Sequence, residues 1–207
     1  MVYAFAAIGF GLLFLAALFL LHFLKPDFDP AWRMISECEI GRHGWMMRLA
    51  FFCWGASVLA TLGTLWPALG SISGTISKDW LIVIALLGAG IFKTDPITKN
   101  TGSGTNAIHT LCGAVVILTF PIAATLAVTS LLQASLWQKV QGLLILGTFL
   151  TWSGMAANFI AILVSRIIAP SAGWVGPRVY QGWPNRFLVV TYVLWLILAA
   201  TCSLKVG

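Results

Sequence analysis

Charge is what this sequence has least of. Asp, Glu, Lys and Arg together make up 9% of its 207 residues, with six carboxylates against twelve Lys and Arg. Soluble domains carry about 25% charged residues, and a chain that is 59% hydrophobic lies far outside that class. Cysteine is scarce too. Cys38, Cys53, Cys112 and Cys202 are scattered, without a Cys-x-x-Cys pair, which argues against a disulfide framework and a zinc site of that spacing. There is no His-Glu-x-x-His pair, and Ser36 lacks a Gly-x-Ser-x-Gly frame, so neither a zinc hydrolase nor a serine hydrolase is indicated. Cys38 stands between Glu37 and Glu39, neighbours that disfavour a thiolate nucleophile. No basic domain of the kind that binds nucleic acid is present either.

What the sequence has is long uncharged runs. A helix needs about 20 apolar residues to cross a hydrocarbon core, and six stretches qualify as helices, at about 3–24, 45–69, 77–92, 107–132, 140–168 and 187–204. The third has only Trp80–Phe92 free of charge, so its helix is expected to begin near Ser77 with Lys78 snorkelling to the head groups. Pro121 should kink the fourth unless a neighbour satisfies the carbonyl it frees. The fifth exceeds a spanning length and must tilt or project. The amino-terminal run lacks the basic start and small-residue cleavage site of a signal sequence and reads as a retained helix. The connections, about twenty residues at most, at 25–44 and 169–186, leave no room for a soluble domain. The expected fold class is an all-α membrane protein, residues 1–207 forming a single six-helix transmembrane domain.

With six spans the termini share one side, and the loops after the first, third and fifth helices share the other. That second side holds Lys25, Arg33, Arg42, Arg48, Lys93, Lys99, Arg166, Arg178 and Arg186, nine of the twelve basic residues, against Lys78, Lys139 and Lys205 opposite. The positive-inside rule makes it cytoplasmic and places both termini on the non-cytoplasmic side. The net charge of +6 then reflects topology and anionic head groups rather than a nucleic-acid partner. Asp27, Asp29, Glu37, Glu39 and Asp95, five of the six carboxylates, and His22, His43 and His109 fall on the same side. Longer loops explain this excess as well as a function does. Trp45, Trp66, Trp80, Trp137, Trp174 and Trp183 lie near helix ends and read as interfacial anchors. Gly88, Gly90, Gly113 and Ala114 read as close-packing positions, and Ser153 and Asn158 as interhelical hydrogen-bonding groups.

Three motifs stand in order along the chain: "DFDPAWRMISECEIGRHGWMMRLAF" (27–51), "GIFKTDP" (90–96) with "IH" (108–109), and "GWPNRF" (182–187). Together they resemble the bacterial membrane family catalogued as domain of unknown function 998, over roughly residues 3–204. The resemblance implies one bundle of about six helices in the bacterial inner membrane, and supplies no activity, substrate or cofactor. The family pattern falls here on Asp29, Pro30, Arg33, Ser36, Gly44 and Trp45, with Glu37 in an acidic position, then on Phe92, Thr94, Asp95, Pro96 and His109, and on Gly182 and Arg186. Where family members often carry a His-Gly pair before the His, this chain has Thr105 and Asn106.

All three loops emerge on one side, so Arg33, Ser36, Glu37, Asp95, His109, Asn185 and Arg186 can converge on one mouth of the bundle. Pro96 ends the third helix, and Thr105 or Asn106 is placed to cap the fourth, with His109 in about its first turn. Asp95 can pair with Arg33, Lys93 or Arg186 and pin loops together, or orient His109 for proton transfer. A metal reading would draw on His109, Asp95, Glu37, Glu39, His43 or Cys112, but no spacing supports it and no metal is assigned. Two functions follow. In the first, Arg33, Ser36, Glu37, Asn185 and Arg186 bind a lipid or amphiphile, or dock a membrane-protein partner or second copy. In the second, Asp95 and His109 are acid/base groups or metal ligands of an enzyme acting on lipid head groups, with Arg186 neutralising a phosphate.

Overall fold

Backbone groups in hydrocarbon must be paired within their own segment, and the apolar runs accordingly form helices. The computed structural model describes residues 1–69, 73–99, 102–172 and 176–206. The roles expected for the side chains of Lys78, Trp80 and Trp174 lie outside what is described. Among the described residues the chain is all-helical: α1 Val2–Leu24, α2 Gly44–Leu69, α3 Ser73–Ile91, α4 Gly104–Leu131, a short α5 Ser135–Gln138, α6 Gln141–Ile168 and α7 Gly182–Val206. Short 3-10 helices lie at Ile35–Glu39 and Pro170–Ala172. Of these, α1, α2, α4, α6 and α7 are each long and apolar enough to cross a membrane. The belt of exposed Phe5, Phe19, Ile84, Phe149 and Ile160 suits a hydrocarbon surround.

Two helices begin earlier than their polar flanks suggest. For α4 the cap is Ser103, whose hydroxyl accepts from Asn106 N at 3.2 Å, so Thr105 and Asn106 lie inside the helix and His109 in its second turn. At α7 the polar residues Asn185 and Arg186 are buried inside the first turns. Pro184 is no obstacle there, because first-turn N–H groups have no intrahelical partner.

Pro121 sits inside an unbroken α4. The carbonyl it deprives of a partner is that of Ile117, four residues earlier, and the Tyr192 hydroxyl of α7 donates to it at 2.8 Å. The same tyrosine ring stacks on Phe120 at 4.4 Å. Elsewhere the core is cemented by small residues and hydroxyls. Ser57 of α2 donates to Ala7 O of α1 at 2.8 Å, and Gly154 of α6 leaves room for Leu188 of α7, whose Cα would stand 2.8 Å from an added Cβ.

Trp45, Trp66 and Trp183 are exposed. Trp137 differs: it lies on α5, which folds back onto the bundle, and it joins the buried core. Gly88 and Gly90 are tightly packed, against Cys112 Sγ and the Phe52 ring. Gly113 is not, since an added Cβ there would meet open space. Ser153 donates within its own helix, to Phe149 O.

Candidate functional site: a cavity under the first loop

The segment between α1 and α2 is a folded cover. Asp29 Oδ1 accepts from Ala31 N at 2.9 Å, an Asx turn, and the 3-10 helix follows with Ile35, Glu37, Cys38 and Glu39 all buried. Gly41 (φ 72°) and His43 (φ 64°) take left-handed backbone to turn into α2. Gly44 then passes so close under the cover that an added Cβ would lie 1.8 Å from Glu39 O. Lys25 donates to the carbonyls of Ile40 and Arg42. Burial lowers its pKa, with Cys38 acting the other way. The Cys38 thiol is pushed up chiefly by burial, with Glu37 adding to it and Arg186, Lys25 and Arg33 opposing.

Helix α7 holds the cover down. Gly182 N donates to Ala31 O at 3.0 Å, and an added Cβ on Gly182 would lie 2.2 Å from Pro30 O. Arg186 Nη1 donates to Arg33 O at 2.6 Å and Gly182 O at 3.0 Å. Its Nε donates to His22 Nε2 at 2.9 Å, while His22 Nδ1 bonds Leu18 O at 2.8 Å. Asn185 Oδ1 accepts from Ile35 N at 3.1 Å.

The α3–α4 loop closes against the same cover. Glu37 Oε1 takes both Arg33 Nη1 at 2.7 Å and Ile97 N at 2.9 Å. Glu39 Oε2 accepts from Thr94 N at 3.4 Å, and burial pushes its carboxyl up to about 7, opposed by that bond and more weakly by Arg48 and Lys93. Asp95 works as the loop's internal latch. Its Oδ2 accepts from Ser103 N at 2.6 Å and its Oδ1 from Lys99 Nζ at 3.1 Å, and the bonds from Ser103, then Lys99, hold it below the usual carboxylate range. Asn106 Oδ1 accepts from Thr94 Oγ1 and Asp95 N, both at 3.0 Å.

Beneath this cover lies a cavity of about 580 Å³, within the roughly 300–1,000 Å³ of small-molecule sites. Its walls come from α2, α3, α4, α6 and α7, with Trp54, Leu86, Ile117, Ile162 and Leu188 among them. Its polar lining includes Ser36, Glu37, Asp95, His109, Asn158 and Asn185. Several of these groups are unsatisfied. Glu37 Oε2 and Trp54 Nε1 are buried without a hydrogen-bond partner, and the buried Asn158 amide has none among the described residues. Buried polar atoms are rarely left so, and each calls for an explanation.

The candidates read from sequence therefore divide. Ser36, Glu37, Asp95, His109 and Asn185 border the cavity. Arg33 and Arg186 stand behind it as supports, Arg33 between the rings of Phe28 and Trp32 with its guanidinium on Glu37. Asp95 and His109 do not pair. His109 Nδ1 bonds Phe92 O at 2.8 Å, and the carboxylate near it is Glu39, at 3.7 Å. Nor does Asp95 meet Arg33, Lys93 or Arg186, its ionic partner being Lys99. Among the described residues no three His, Cys, Asp or Glu side chains gather as a metal site.

Trp54 is a wall residue that sequence reasoning missed, because a mid-helix Trp looks like core. Asn158 was legible as a polar group at membrane depth that could line a pocket, although interhelical hydrogen bonding is the commoner role of such a residue. Residues 8–202 match the family model described as protein of unknown function (DUF998). No curated protein and no solved structure matches the chain. The motifs whose geometry is now explained, Gly44, Asp95, Gly182 and Arg186 among them, all lie inside the matched segment, and the chain belongs to the DUF998 family.

Proposed function

We propose that this chain is a six-span protein of the bacterial inner membrane that binds a lipid or other amphiphile in the cavity under its first loop. The 19 residues of α3, at about 1.5 Å each, come close to a hydrocarbon thickness of about 30 Å, which supports α3 as the sixth span. The basic loops 25–43, 92–103 and 169–181 then lie on the cytoplasmic side, by charge, with both termini opposite. The observation that carries the binding function is the cavity itself: apolar walls at membrane depth end in Ser36, Glu37, His109 and Asn185. An apolar pocket with a few convergent polar groups is the ordinary form of a small-molecule site.

Gly113 offers the test, because it lines the cavity and faces open space. Gly113→Leu adds a side chain to the cavity wall at a position where its Cβ meets nothing, and it favours the helix. In native mass spectrometry from mild detergent, the wild-type chain should carry a bound amphiphile and the folded variant should not. Equal retention by both would end the proposal. The enzymatic alternative has lost its Asp95–His109 pair, and Arg186 spends Nε and Nη1 on His22 and backbone carbonyls rather than on a phosphate.

A further inference from the structure

An unsatisfied group on the cavity wall points to the head of its occupant, on the reading that it binds an amphiphile. Among the described residues the Asn158 amide, which offers both a donor and an acceptor, has no hydrogen-bond partner. Asn158 is 7% exposed. A buried polar group is rarely left unpaired, and an occupant that both donates and accepts hydrogen bonds satisfies it.

Charge narrows the class. The cationic side chain on the cavity wall is Lys99, at the rim and half exposed, and it already holds Asp95. Arg33 neutralises Glu37 from behind, at 2.7 Å, and does not line the cavity. A phosphate would therefore enter beside a carboxylate with no free cation facing it, and a buried charge without a partner is strongly disfavoured. An ammonium head meets the opposite obstacle, since Glu37 already has a cation. A hydroxyl meets neither, and it can both donate to and accept from the Asn158 amide.

The wall also shows a way in. Thr110 and Leu118 of α4 and Phe159 of α6 line the cavity and are exposed, and Leu111 and Ile160 beside them are exposed without lining it. The cavity thus borders the lipid-facing side between α4 and α6. From this we infer that the site takes an uncharged, hydroxyl-bearing amphiphile, admitted sideways from the bilayer between α4 and α6.

The experiment uses the full chain in nanodiscs, tritiated monooleoylglycerol as probe and scintillation proximity as readout. Competitors share the oleoyl chain and differ in head: unlabelled monooleoylglycerol, oleoyl lysophosphatidic acid and oleylamine. Monooleoylglycerol should compete at concentrations about tenfold lower than either charged amphiphile, a difference of about 1.4 kcal/mol. Glu37→Gln should narrow the gap to lysophosphatidic acid. Because Glu37 also holds the cover, Asn158→Leu, remote from the cover, is the second variant, with probe affinity falling by about tenfold. If a charged amphiphile competes as well as the neutral one, in a manner abolished by Gly113→Leu, the head-group inference is overturned and amphiphile binding stands. If the probe shows no saturable binding and no competitor is retained, amphiphile binding itself fails.

Discussion

The seam joining α1, α2 and α7 and the wall facing α4 and α6 handle buried polar groups in opposite ways. On the first side hydrogen bonds tie buried groups across the elements. Ser57 meets Ala7 O, His22 joins Leu18 O to Arg186, and Arg186 fastens the cover through the carbonyls of Arg33 and Gly182. Glycines there touch backbone, as Gly182 does beneath Pro30. On the second side the Asn158 amide has no partner among the described residues beside 580 Å³ of space, and Gly113 touches nothing. One seam is tied and filled, and the other is left open. Polarity alone does not distinguish the two sides; open space beside the polar groups does.

Substitutions should break the closed seam and spare the open one. The largest effect is expected at Gly182→Ala, where the new Cβ has no space beneath Pro30 O. Overpacking costs about 1–3 kcal/mol and occasionally more, the three backbone atoms within 3 Å of the new Cβ put this site at the upper end, and size-exclusion chromatography in detergent should show loss of the monodisperse folded peak. Gly113→Leu is the matched control on the open wall and should elute as wild type. Normal folding of Gly182→Ala would show that the cover is not held as described.

Next in size is a matched pair of polar deletions. Tyr192→Phe strands the Ile117 carbonyl freed by Pro121, at a cost of about 1–3 kcal/mol, while Asn158→Leu removes an amide that had no partner and should leave stability unchanged or raise it. The thermal unfolding temperature should therefore fall for Tyr192→Phe and not for Asn158→Leu. A similar loss from both would erase the contrast between the seams.

The smallest effect expected is a pH dependence centred on Glu39, which lies between cover and loop. Its carboxyl rises from an ordinary 4.5 to about 7 in the folded chain, so the folded form holds a proton that the unfolded form has released between those values. Its contribution to stability is full below about 4.5 and is lost as pH rises through about 7. Melting temperature should thus fall more steeply between pH 5 and pH 8 for the wild-type chain than for Glu39→Gln, by linkage. Parallel profiles would place that carboxyl in water.

Much of this was readable from the residues in order. Long uncharged runs announced the helices, and the polar residues of loops 25–43 and 92–103 together with Asn185 and Arg186 were expected at one mouth, where hydrogen bonds do join them. The partners were not readable. Asp95 can reach several cations by sequence, yet it bonds Lys99 and Ser103 within its own loop. Arg186 looked like a phosphate binder because an arginine near a membrane surface commonly is one, and only the return of Pro30 and Arg33 onto α7 shows it bonding backbone carbonyls.

By itself, then, the sequence determined the helical class, the apolar surround and the clustering of polar loops, because hydrocarbon leaves a backbone no choice but helices and the order of runs sets which loops are neighbours. Tertiary structure alone decided which polar groups are satisfied and which are not. A hydrogen bond between residues 150 positions apart, such as Ile35 to Asn185, has no local signature. The cavity has none either, since empty space is a property of how five helices fail to fill the volume between them.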